Sequence, residues 1–191
     1  MLSAMLRACG HALFLIASAV LSWPAHAMAL AGDHSLVAYT QDGHRTRIGT
    51  VSFATAGQGL ARVRVHMDHS VMQDHFLSMR EFKCLPAAQE VTCHVPYPYA
   101  HPGTVSEQDL QWLDHQLLFF YKKPADFGAK LWNGIVFKWR LTPDGLEGLP
   151  QAVDLNLISA PPDRLDVPPY GPFEREDFPP GARWVKRLRI E

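Results

Sequence analysis

Apolar and polar residues alternate most cleanly from Ala61 to Asp68, where Ala61, Val63, Val65 and Met67 interleave with Arg62, Arg64, His66 and Asp68. A period of two sends successive side chains to opposite faces, so this stretch predicts a β-strand with one buried and one wet face. Residues 47–53 form a second strand candidate, and Ala56-Gly57-Gln58-Gly59 has the turn residues to join the two as an antiparallel hairpin. Residues 76–84 and 91–99 predict the next pair. In the second of these Val91, Cys93, Val95, Tyr97 and Tyr99 share a face, and Pro96 and Pro98 confine the strand to a sheet edge because proline lacks a ladder N–H.

The period then changes. Leu110, Leu113 and Leu117 recur at helical spacing behind Thr104 and Glu107, a capping-box pair, which predicts an amphipathic helix near residues 105–119. After Lys122-Lys123-Pro124, residues 126–131 predict a single helical turn ending at Asn133-Gly134. Ile135, Phe137, Trp139 and Leu141 alternate with Val136, Lys138 and Arg140 as a further strand, Pro143-Asp144-Gly145 supplies its turn, and Val153, Leu155 and Leu157 suggest the returning strand. Between 160 and 180 the pairs Pro161-Pro162, Pro168-Pro169 and Pro179-Pro180 predict an extended strap across the surface, or a segment offered to a partner's groove. Residues 184–190 are apolar enough to dock as a last strand. The expected fold is β-rich, all-β to α+β: antiparallel hairpins forming a small barrel-like or sandwich sheet with one amphipathic helix packed on it.

The first residues follow a different rule. One positive charge, Arg7, precedes an apolar run from Ala12 to Leu21, then Trp23-Pro24 and the small-residue pattern Ala25-His26-Ala27. That order is a secretory signal over residues 1–27, with Ala29 marking a second cleavage site of the same kind. The run is shorter than the roughly 20 residues of a membrane span. Cys9 lies ahead of it, where lipoprotein processing would discard it. The division expected is therefore signal 1–27, β-rich domain 28–159, and strap with terminal strand 160–191, located in the periplasm or outside the cell.

The compartment decides the cysteines. Only Cys84 and Cys93 remain after cleavage, on either side of a predicted turn, and in an oxidising compartment they should pair. The 191-residue chain has a formal charge of −1, and loss of Arg7 takes it to −2. So small a charge argues against nucleic acid as a partner.

Candidate chemistry is sparse. The run from His66 to His75 holds imidazole, thioether and carboxylate groups suited to copper or zinc, with His69, Met72, Asp74 and His75 as the candidate ligands. Its Met67-Asp68-His69-Ser70 stretch resembles the Met/His-rich repeats of exported bacterial copper-resistance proteins, over these few residues and once only. Two arginines beside His66 oppose a cation. There is no Gly-x-Ser-x-Gly elbow and no His-Glu-x-x-His, so a hydrolase would need His94, His101 or His115 to meet Asp109 or Asp114 in three dimensions, and Asp114 and His115 read as solvated helix surface. Aromatics are plentiful. An apolar pocket edged by Arg62 and Arg64 and walled by Trp112 and Trp139 would suit an amphipathic anion such as a fatty acid. The leading expectation is an exported, non-enzymatic binding or envelope-assembly domain without a cofactor, its partner an envelope protein or a small amphipathic ligand.

Overall fold

A computed structural model of the chain describes residues 30–77 and 80–191. The export signal expected over residues 1–27 lies outside them. Among the described residues the strands are β1 (Gly32–Thr40), β2 (Arg45–Gly57), β3 (Leu60–Met67), β4 (Gln73–Leu77), β5 (Arg80–Pro86), β6 (Val91–Val95), β7 (Thr104–Val105), β8 (Leu118–Lys122), β9 (Gly134–Thr142), β10 (Gly145–Val153), β11 (Glu176–Asp177) and β12 (Val185–Ile190), with one α-helix, α1 (Gln111–Gln116). All pair antiparallel in one 12-stranded sheet of order β4-β5-β6-β8-β9-β10-β12-β1-β2-β3-β7, with β11 added to β10. The fold is β-rich with a helix packed on it, as the patterning predicts. The path has two ends, β4 and β7, so the sheet is not a closed barrel.

The hairpin of β2 and β3 has the predicted partners, with Val51 opposite Val65 and Phe53 opposite Val63. Other elements differ. Residues 76–84 divide into β4 and β5, paired Leu77 to Arg80. β6 stops at Val95 and lies inside the sheet between β5 and β8, so Pro96 ends the strand instead of marking an edge. The helix expected near 105–119 has six residues. Thr104, the predicted cap, belongs to β7, which pairs Arg62, and the Leu118-Phe119-Phe120-Tyr121 run enters the β6 ladder because aromatic side chains fit a pleated, buried surface. No helix forms over 126–131. The returning strand is β10, and Leu155 and Leu157 fall in a 3-10 turn whose cap, Asp154, accepts the Asn156 N–H at 2.9 Å. β12 takes a central place between β10 and β1, a position that only long-range pairing could reveal.

The sheet buries both faces. Leu36, Ile48, Phe53, Val63, Phe137 and Leu188 pack with Leu113 of α1 and Leu117 just after it in the larger cluster, while Phe82, Phe120, Val136, Leu155, Ile158 and Tyr170 form a second one. Alternation along β9 decides the split, since Ile135 and Phe137 enter the first cluster and Val136 the second. Gly148 lies opposite Trp139, and a Cβ there would come within 2.9 Å of the indole, so glycine is what lets that ring lie on β10. α1 occupies the interval between β3 and β9. At its end Gln116 accepts the Val65 N–H and donates to the Val63 carbonyl, both at 3.2 Å, satisfying the part of β3 that β7 does not cover.

Candidate binding groove and buried polar network

Cys84 and Cys93 face each other across β5 and β6 and form a disulfide. The other sequence candidates do not come together. Arg62 and Arg64 stand exposed on the outer face of β3, whereas Trp112 and Trp139 are 6% exposed and fill the main core. Those indoles fill the interior, on the opposite face of β3 from the two arginines. The four expected metal ligands are likewise separated. His69 sits exposed in a 3-10 turn and Met72 is buried in the main core. Asp74 pairs with Lys83, while His75 lies opposite Phe82 on the other face of β4. Among the described residues no three His, Cys, Asp or Glu side chains gather at metal-binding distance.

Asp114 and His115 are not helix surface. They are 4% and 0% exposed, and they anchor the proline-rich strap. His115 Nδ1 lies 2.7 Å from the Gln111 carbonyl, and its Nε2 accepts the Tyr170 N–H at 3.1 Å. These partners assign the proton to Nδ1. Tyr170 stacks on the imidazole at 5.4 Å, and its hydroxyl donates to the Asp154 carbonyl at 3.1 Å. Arg175 donates to the Tyr170 carbonyl from Nε and Nη2 and to Asp114 from Nη1 at 2.5 Å. Burial pushes His115 down to about 4, with the Arg175 charge acting the same way. Burial also pushes Asp114 up to about 7 against the pull of Arg175.

This network holds a strap in place, and it leaves no lone pair on His115 free to take a proton from a substrate. His94 is pushed down to about 4 by burial, with Nε2 at 3.5 Å from the Gln116 carbonyl. His101 stacks on Trp112 at 5.1 Å, and Asp109 accepts the Gln111 N–H at the start of α1. None of the three histidines is hydrogen-bonded to Asp109 or Asp114.

An apolar depression does exist, on the other side of the sheet. A groove of about 420 Å³ is lined by Leu77, Phe82, Val95, Tyr99, Leu131 and Ile158. β4, β5 and β6 form one wall and the turn after β10 another. Tyr99 fixes the join by donating to the Ile158 carbonyl at 3.0 Å. Arg80 is the one charged residue in this lining, its guanidinium carbon 5.6 Å from the Phe82 ring centre. Among the described residues it makes no ion pair.

Comparison with protein families, with curated proteins and with solved structures finds no match for this chain. Sequence reading did not single out Arg80, Leu131 or Ile158. Each belongs to a different element, and only strand order brings them together. Tyr170 and Arg175 were also missed, though a buried Tyr and an Arg inside a proline-rich stretch are the residues such a strap would use to dock.

Proposed function

We propose that the chain is an exported, non-enzymatic binding domain that holds a single-chain amphipathic anion, such as a fatty acid, in the groove beside Arg80. One observation carries the reading: an apolar groove whose wall carries the Arg80 guanidinium, which makes no ion pair among the described residues. Apolar lining rewards a hydrocarbon chain, and a single cation selects a carboxylate head group. The Cys84–Cys93 disulfide supports an oxidising compartment, in keeping with the signal expected over residues 1–27. Among the described residues no helix is long and apolar enough to cross a membrane.

Calorimetric titration with octanoate, decanoate and dodecanoate tests the proposal. Burying a methylene contributes about 0.8 kcal/mol, so affinity should rise roughly fourfold per added carbon until the groove is full. Arg80→Gln should weaken decanoate by about tenfold, in line with the loss of a charge-assisted hydrogen bond, and leave decanol unchanged. Absence of binding, or affinity independent of chain length, would refute it.

A further inference from the structure

A second depression lies away from that groove, where the turn before β6, the end of β8 and residues 181–184 meet. It is a cleft of about 680 Å³, and its wall carries Asp42, Glu90, Lys122, Lys123, Asp126 and Arg183. The acids and bases there are not evenly satisfied.

Every carboxylate already has donors. Asp42 accepts from Thr40 Oγ1 at 2.5 Å and Trp184 Nε1 at 3.2 Å. Glu90 accepts from the Trp184 N–H at 3.1 Å and Thr92 Oγ1 at 3.3 Å. Asp126 accepts from Lys130 Nζ at 3.1 Å.

The cations have donors to spare. Lys122 is 3% exposed, yet its ammonium has one acceptor, the Pro124 carbonyl at 3.3 Å, and makes no ion pair among the described residues. An ammonium has three N–H donors, so two remain unspent. Arg183 donates from Nε to the Ala182 carbonyl, while its buried Nη1 has no hydrogen-bond partner. Glu90 Oε2 lies 3.5 Å from that Nη1, within ion-pair range but beyond a bond of good geometry. The guanidinium is held between aromatic rings, 3.3 Å from the Tyr121 centre and 4.9 Å from that of Phe178. It cannot swing out to find water without giving up both contacts.

A buried ammonium with one neutral acceptor is poorly compensated, and a partner rich in acceptors supplies what it lacks. We infer that this cleft binds a small oxyanion, carboxylate or phosphate, through the unspent donors of Lys122 and Arg183, with exposed Lys123 at its rim. Glu90, 3.5 Å from Nη1 of Arg183, is the carboxylate that competes with the anion there. The site is independent of the Arg80 groove, and its ligand needs no hydrocarbon chain.

The test is thermal unfolding and calorimetry of the full protein with inorganic phosphate and, separately, citrate, against sodium chloride at equal ionic strength. A rise in Tm with phosphate alone assigns a phosphoryl group, and one with citrate alone assigns a carboxylate. No specific rise with either overturns the inference. Lys122→Met, similar in length and uncharged, should fold at least as stably as the parent and bind the effective anion at least tenfold more weakly. Should Lys122→Met fail to fold, Glu90→Gln provides the check, since removing a competing carboxylate should tighten anion binding severalfold. Unchanged affinity in the variant that folds would also overturn the inference.

Discussion

Replacing His115 with glutamine removes one titratable ring from beneath the proline-rich strap. In the fold the ring is neutral, donating from Nδ1 to Gln111 and accepting from Tyr170 at Nε2. Burial sets its pKa at about 4, against 6.5 for the unperturbed side chain. The unfolded chain therefore takes up a proton first as the solution is acidified. The stability this ring contributes is fully present above pH 6.5 and is lost as pH falls toward 4. Between pH 7.5 and 4.5 the loss comes to about 2.5 kcal/mol from His115 alone. Asp114 acts in the opposite sense, because a carboxyl raised to about 7 favours the fold at low pH and loses that contribution as pH rises from 3.8 toward 7. His94, also lowered to about 4, adds to the acid sensitivity. The raw stability curve mixes all three, so the informative quantity is the gap between parent and His115→Gln, measured by urea unfolding with tryptophan fluorescence at each pH. That gap should shift by about 2.5 kcal/mol in favour of the variant between pH 7.5 and 4.5. A constant gap, or one moving the other way, would refute the assignment of a neutral, hydrogen-bonded imidazole.

Three further outcomes are expected. Breaking the Arg175–Asp114 pair with Arg175→Met, both side chains being under a tenth exposed, should cost about 3–5 kcal/mol in urea unfolding at alkaline pH, where it strands a buried carboxylate, and less at pH 5, where Asp114 is protonated. Reducing the Cys84–Cys93 disulfide, nine residues apart in sequence, should cost about 2.5–3 kcal/mol by loop entropy, read as a lower unfolding midpoint in the presence of reductant. Gly148→Val should destabilise by about 1–3 kcal/mol and shift the tryptophan emission, since its side chain would displace the Trp139 indole.

The sequence was most legible where pattern and neighbour coincide. The β2–β3 hairpin follows from alternation and a glycine turn, and the cysteine pairing from two thiols on either side of a predicted turn. Legibility failed where tertiary pairing overrode local signals. Thr104 and Glu107 carry a sound capping pattern, yet Thr104 pairs with Arg62 because β3 needs an edge partner. β1 lacks clean alternation, since Leu36, Val37 and Ala38 are consecutive and all buried, the pattern of a strand covered on both faces. Asp114 and His115 look like helix surface until the strap, about 55 residues later in the chain, is seen to cover them. The apolar groove beside Arg80 was illegible for the same reason, because its lining comes from elements distant in sequence and includes none of Arg62, Arg64, Trp112 and Trp139.

The most direct measurement is a two-dimensional NMR titration of the isotope-labelled protein with dodecanoate. Amide shifts should concentrate at Leu77, Arg80, Phe82, Val95, Leu131 and Ile158, saturating together at one ligand per chain. Shifts confined to the face of Arg62 and Arg64, or no saturable shifts in the groove, would contradict the account.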